Sequence, residues 1–284
     1  MSVVETPVRL VNDEGLPVRC DVRRPEGEGP FPVVVILHGF KGFKDWGMFP
    51  PTARLLAERG LASVAMNTSR NGVEDRLEEF TDLEAFARNT PGRELGDVRT
   101  VVDAIAAGEL GAELDAERTG ILGHSRGGGV AVLAAASDER LRCLVTWASI
   151  ARFLRYTERA LAEWRRTGRL EVPNARTGQL MRMDLSVLED LEANQARYDL
   201  DAAAARLTVP YLAVHGERDE AVGPDDSARL VERAGSAEKR LHVIPRTGHT
   251  FGAAHPWNGG SPAWEEAVRE TAEWFARWLA VAPG

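Results

Sequence analysis

The chain has few cysteines, a deficit of positive charge and no long apolar run, and each shortage removes a class of protein. Two cysteines among 284 residues, Cys20 and Cys143, can build neither a disulfide framework nor a cysteine-rich zinc cluster. Each lies in a strand-like run and is expected to be a buried free thiol. With 35 Lys and Arg against 43 Asp and Glu, the net charge is -8. That balance sets up no overall basic field to draw a phosphate backbone, so nucleic acid is not an expected partner. No window approaches the roughly 18 apolar residues that cross a bilayer. Met1 to Leu10 has neither the positive start nor the apolar stretch of a leader. A cytoplasmic protein without a membrane span is therefore expected, and association into a homodimer is left open.

What is present is ample core material, with 44% hydrophobic and 27% charged residues, enough for one large core with an inserted segment. Two short alternating segments, Val8 to Val11 and Val18 to Val22, flank Asn12-Asp13-Glu14-Gly15, which reads as an antiparallel hairpin. Phe31 to Leu37 is a nearly unbroken β-branched run, the pattern of a strand covered on both faces. Similar runs recur at Leu61 to Met66, Thr119 to Leu122, Leu141 to Trp147, Pro210 to Val214 and Leu241 to Ile244.

Helical patterns lie between them, such as Glu94 to Ala107, with Leu95, Val98, Val102 and Ile105 at helical spacing. Alternating strands and helices predict an α/β fold, a mostly parallel doubly wound sheet with right-handed crossovers behind the N-terminal antiparallel hairpin. A last helix is capped by Ser261, begins with Pro262 and carries the stripe Trp264, Val268, Thr271, Phe275 and Trp278.

The stretch from Ile150 to about Arg206 is far longer than one crossover. It divides the chain into a core, residues 1–149 and 206–284, and an inserted cap, residues 150–205. Within the insertion, Phe153 to Arg166 reads as a helix, Leu170 to Val172 with Leu180 to Met183 as a hairpin, and Ser186 to Ala196 as a second helix opened by a Ser186/Glu189 capping box.

The local signal with most chemical content is Gly123-His124-Ser125-Arg126-Gly127-Gly128, between the strand ending near Leu122 and the helix that starts at Arg126. It fits Gly-x-Ser-x-Gly, a strand-to-helix turn whose glycines allow close backbone approach and leave the serine hydroxyl exposed. A hydroxyl is a weak nucleophile near neutral pH, so a base must reach it and must itself be oriented. Of six histidines, His38 and His124 flank other motifs, and His215 and His242 lie in or at the edge of strands. His249 follows the last strand and is preferred as general base over His255, which lies further on and precedes Pro256. Asp219, in the turn after Pro210 to Val214, is preferred as the orienting carboxylate over Glu217, while Asp225 and Asp226 suit a first helical turn. The oxyanion would be met by the backbone N–H groups of Arg126 and Phe40, the latter in His38-Gly39-Phe40-Lys41-Gly42.

Taken together, His38-Gly39-Phe40, Gly123-His124-Ser125-Arg126-Gly127, His215-Gly216-x-x-Asp219 and Gly248-His249 resemble the α/β-hydrolase superfamily over nearly the whole chain outside the insertion. The dienelactone-hydrolase-like and cinnamoyl or feruloyl esterase branches are similar in pairing such a His-Gly-Phe loop with a cap of helices and a hairpin at the same place. Dienelactone hydrolases proper carry a cysteine where Ser125 stands, and similar feruloyl esterases often carry glutamine where Arg126 stands.

The resemblance implies a serine esterase that cleaves a small carboxylic ester, an aryl or cinnamoyl ester among the candidates, through an acyl-enzyme. It implies no organic cofactor and no metal. Trp164, Tyr156, Met181, Met183 and Tyr198 would line the pocket or pack the cap, and the cap arginines Arg152, Arg155, Arg165, Arg166, Arg169, Arg176 and Arg182 would sit on a solvated face paired with local Glu. Two alternatives stand beside it. One is a peptidase resembling acyl-peptide hydrolases, although a chain of this length is expected to lack their large extra domain; the other is a hydrolase-like binding protein without catalysis.

Overall fold

A computed structural model describes residues 2–74 and 79–280. In chain order the elements are β1 (Val3–Val11), β2 (Pro17–Pro25), β3 (Phe31–Leu37), α1 (Phe49–Glu58), β4 (Ala62–Met66), α2 (Leu83–Ala87), α3 (Pro91–Ala106), β5 (Leu114–His124), α4 (Arg126–Ala135) and β6 (Leu141–Trp147). They continue with α5 (Glu158–Thr167), β7 (Arg169–Pro173), β8 (Leu180–Asp184), α6 (Leu185–Ala193), α7 (Leu200–Arg206), β9 (Tyr211–Gly216), α8 (Pro224–Arg233), β10 (Lys239–Ile244) and α9 (Pro262–Trp278).

Eight strands form one sheet in the order β1-β2-β4-β3-β5-β6-β9-β10. β1 pairs antiparallel with β2, and β2 with β4; every later pairing is parallel. The period of two along β3 shows why its apolar run is unbroken. Val33, Val35 and Leu37 enter a core with Val98, Val102 and Val130 of α3 and α4. Val34 and Ile36 enter a second core with Phe49 and Ala53 of α1 and Val268 and Phe275 of α9. A strand covered on both faces has no polar side to show. No helix among the described residues is long and apolar enough to cross a membrane, and Cys20 and Cys143 are both buried free thiols.

The capping signals account for most helix starts. Ser261 accepts a hydrogen bond from Trp264 N–H at 3.0 Å at the head of α9, and Thr157 takes the same role for α5. Four differences from the sequence expectations have local causes. β10 is not covered on both faces: Lys239 and Arg240 are exposed and Val243 is 41% exposed, because β10 is the last strand of the sheet. α5 starts at Glu158 rather than Phe153, where the Thr157 cap sets its first turn. Asp184, not Ser186, precedes α6, and no side chain caps that helix. Finally, α1, α2 and α7 are additional helices; α7 is capped by Asp199 through Ala202 N–H at 3.0 Å.

Between β6 and β9, the antiparallel pair β7 and β8 forms a separate two-stranded sheet. It reaches the core through several contacts, among them Lys41 Nζ, which donates to the Pro173 carbonyl at 3.3 Å, and Gln179, which exchanges hydrogen bonds with the Phe80 backbone at 3.0 and 2.8 Å. Trp164, Met181, Met183 and Tyr198 are buried in the packing of this segment. Several of its arginines face carboxylates, Arg165 with Glu192, Arg166 with Glu163, Arg169 with Glu171, and Arg182 with Glu84 and Asp184, whereas Arg176 lies over the Phe43 ring.

Candidate active site

The C-terminal ends of the parallel strands carry every residue singled out for chemistry, as expected where crossovers leave a sheet edge open. β5 ends at His124, and the chain turns at once into α4 through Ser125, whose φ of 57° and ψ of -119° lie in a region that L residues rarely occupy. Such a backbone costs on the order of 1–3 kcal/mol and persists only where its surroundings enforce it. Here they do. Ser125 N–H donates to Trp147 O at 2.8 Å on β6, and Ser125 O accepts from Gly128 N–H at 3.0 Å.

Two glycines make the turn sterically feasible. A Cβ on Gly127 would lie 2.2 Å from His38 O, and a Cβ on Gly39 would lie 2.9 Å from Ser125 Cβ. The His38-Gly39-Phe40 loop therefore rests directly on the serine. Arg126 is the first residue of α4, so its N–H has no partner within the helix and points out of its N-terminus. His38 steadies the facing loop. Its Nδ1–H donates to Gly39 O at 2.9 Å, and its Nε2 accepts from Thr68 N–H at 3.3 Å. Burial holds its pKa below the usual value, so the neutral ring those two bonds require is favoured.

Asp219 and His249, 30 residues apart, meet across the loops that follow β9 and β10. His249 Nδ1–H donates to Asp219 Oδ2 at 2.7 Å. The carboxylate is fully buried and its other oxygen accepts from Ala221 N–H at 2.9 Å and Val222 N–H at 3.0 Å. Burial acts to raise the Asp219 pKa, but hydrogen bonds from His215, His249 and the Val222 backbone together drive it well below the usual carboxylate range. Asp219 is thus a carboxylate at any physiological pH.

His249 packs against the residue that precedes Ser125. Its ring centroid is 4.7 Å from that of His124, the residue immediately before the serine. His124 Nε2–H donates to the His249 carbonyl at 3.0 Å, tying the loop to the end of β5. Burial, followed by the neighbouring His249, pushes the His124 pKa down to about 3.

The other candidates are engaged elsewhere. Glu217 accepts from Arg246 N–H at 2.8 Å, and Asp226 from Ala151 N–H at 3.2 Å. His255 Nδ1 accepts from Gly47 N–H at 3.0 Å, and its ring stacks on Trp46. Among the described residues no group of three or more His, Cys, Asp or Glu is arranged to hold a metal ion.

Several contacts at the site were not legible in the sequence. The Arg126 side chain, beside the serine, lies over the Phe40 ring at 5.8 Å and donates through Nε to both oxygens of Glu94, at 3.1 and 2.8 Å. Asn89 Nδ2 donates to the same carboxylate at 2.8 Å. The bonds from His124 to the His249 loop and from His215 to Asp219 are likewise hidden, because His124 reads as a flank of the serine turn and His215 as a strand residue. A polar residue inside an apolar run was the only signal available.

A model of the prolyl oligopeptidase family matches residues 47–282. Among curated relatives, the 2,6-dihydropseudooxynicotine hydrolase of Paenarthrobacter nicotinovorans is 25% identical over 211 residues, 73% of this chain and 49% of that protein. Among solved structures, Est1E from Butyrivibrio proteoclasticus superposes with a TM-score of 0.68 at 19% identity, covering 97% of this chain and 99% of its own. A dienelactone hydrolase from Anabaena variabilis gives a TM-score of 0.64 at 18% identity, covering 98% and 100%. The last two likenesses concern the fold.

Proposed function

Because the chain belongs to the prolyl oligopeptidase family, with the α/β-hydrolase fold, we propose that it is a serine esterase acting on small carboxylic esters, aryl esters included, through a covalent acyl-enzyme. The reading rests on one combination of observations above all: a serine held at positive φ between β5 and α4, and a histidine that a buried carboxylate grips at 2.7 Å, its ring 4.7 Å from that of the residue preceding the serine. In this reading His249 Nε2 takes the proton of Ser125 as the hydroxyl attacks the ester carbonyl, and Asp219 holds the hydrogen on Nδ1 and stabilises the imidazolium. The tetrahedral oxyanion is met by Phe40 and Arg126 N–H. Each such donor contributes about 100-fold to 1000-fold in kcat. His249 then protonates the departing alcohol, and a water activated by the same ring releases the acid.

Residues 150–205 would act as a cap, since their hairpin reaches the oxyanion loop through Lys41 and Pro173. Est1E has also been solved with ferulic acid bound, which supports testing aryl esters first. The family match favours one second reading, a peptidase, in which the same serine attacks an amide. Short acyl, long acyl, aryl-ester and peptide substrates compared by kcat/KM separate the two. Ester turnover should exceed peptide turnover and fall by orders of magnitude in His249→Ala but not in His255→Ala; the reverse histidine dependence would remove the base assignment.

A further inference from the structure

We propose that His215 is a positioning residue for the triad described above, sharing its Nε2–H between the Val222 carbonyl and the same Asp219 oxygen that grips His249. The inference rests on that triad reading and extends it by a fourth side chain.

His215 lies in β9, wholly buried, with both ring nitrogens engaged. Nε2 is 2.8 Å from Val222 O and 3.2 Å from Asp219 Oδ2, and both are acceptors. The ring must therefore carry its hydrogen on Nε2, which leaves Nδ1 to accept the Ser227 hydroxyl at 2.7 Å from α8. A buried histidine in an apolar strand is ordinarily explained by two satisfied nitrogens. Ser227 and Val222 already satisfy both, so the third contact, onto Asp219, falls outside that explanation.

Counting donors shows what the contact does. Oδ1 of Asp219 is fixed by two backbone N–H groups, whereas Oδ2, the oxygen that orients the base, is held among the described residues by side chains, His249 and His215. Of these, His215 stands on a strand in the sheet and His249 on a loop. A carboxylate pinned from the sheet presents a fixed acceptor to the histidine on the loop. His215 and His249 both act to lower the Asp219 pKa. The titratable groups facing this carboxylate are His215 on β9, His124 at the end of β5, and His249 itself.

The test is a pair of substitutions that differ by one methylene. In His215→Asn the amide occupies the place of Nδ1, keeps Ser227 and falls short of Asp219; in His215→Gln it reaches the place of Nε2 and can still donate to the carboxylate. For His215→Asn, kcat should fall roughly 10-fold to 100-fold, the scale of one hydrogen bond to a charged group, with KM little changed. The acid limb of the pH profile should move up by about half a unit, because an Asp219 with one donor fewer concentrates its charge on His249. His215→Gln should recover most of both effects.

Unchanged kcat and acid limb in folded His215→Asn would overturn the proposal. So would equal losses in both variants with the acid limb in place, which is the signature of packing alone. If His215→Asn does not fold, His215→Leu carries the same comparison. The unmutated protein gives a readout that no folding defect can blur: nitrogen-15 NMR of labelled histidine should show hydrogen on Nε2 of His215, and hydrogen on Nδ1 alone would overturn the assignment. Labelling of unmutated Ser125 by a fluorophosphonate separates the two levels. Labelled protein with insensitive His215 variants refutes this inference only, whereas unlabelled, folded protein removes the triad and the inference together.

Discussion

Replacing Asp219 by asparagine changes one atom of a buried group and reverses its hydrogen-bonding sense. Oδ1 accepts from Ala221 and Val222 N–H, so the amide oxygen must stay there, and the new NH2 is turned toward His249 and His215. Donor then meets donor at 2.7 Å. His249 can relieve this only by moving its hydrogen from Nδ1 to Nε2, and a protonated Nε2 cannot accept the serine proton. A triad with the wrong tautomer loses about 10,000-fold in kcat, or about 5.4 kcal/mol at about 1.36 kcal/mol per decade. KM should change little, since Asp219 is buried and is expected to touch no substrate.

A second consequence follows from the depressed Asp219 pKa. A group whose folded-state pKa lies below its unfolded value, about 3.9 for Asp, contributes stability that is present above that value and lost as pH falls through the folded-state pKa. Asp219→Asn should therefore lower Tm at neutral pH and flatten its decline below about pH 4. Steady-state hydrolysis of p-nitrophenyl acetate with thermal unfolding from pH 3 to 8 measures both. A folded Asp219→Asn protein that retains kcat within tenfold of the parent would refute the tautomer reasoning.

Other perturbations probe the surroundings. Gly127→Ala would place a methyl 2.2 Å from His38 O; loss of fluorophosphonate labelling with lowered Tm is expected, and undiminished labelling would mean that the turn tolerates the methyl. Arg126→Ala leaves Glu94 buried without its guanidinium, at a cost of about 3–5 kcal/mol read by urea unfolding. Pairing it with Glu94→Gln should recover much of that loss; no recovery would assign the cost to packing instead. His124 has a pKa of about 3 against about 6.5 unfolded. Its neutral form therefore stabilises the fold above about pH 6.5, a contribution lost as pH falls from there toward about 3. His124→Gln should flatten the decline of Tm across that window, and an unchanged slope would argue against the assignment.

Most of the sheet was legible because burial on both faces leaves an unambiguous mark. Phe31–Leu37 can only be a covered strand, and Ser261-Pro262 before Trp264 can only open a helix. β10 was misread as covered because Leu241 to Ile244 is apolar enough to resemble its neighbours, while its place at the sheet edge is set by strand order, which no local pattern carries. α1 was hidden by Pro50 and Pro51, which look like a break but occupy the first turn.

At the candidate site, Ser125, Asp219 and His249 were legible because each sits in a short glycine-marked turn after a strand. The supporting contacts were not, since Glu94 and Arg126 are 32 residues apart and His215 looks like any other residue of β9. Spacing along the chain encodes turns; it does not encode which buried side chains meet once the sheet has assembled.

The most direct measurement is to treat the protein with a fluorophosphonate, digest it and locate the adduct by mass spectrometry. A single adduct on the peptide containing Ser125, absent from Ser125→Ala and formed far more slowly in His249→Ala, is the expected result. A folded protein that stays unmodified, or that takes the label on another residue while Ser125 remains free, would contradict the assignment of this turn as the nucleophile.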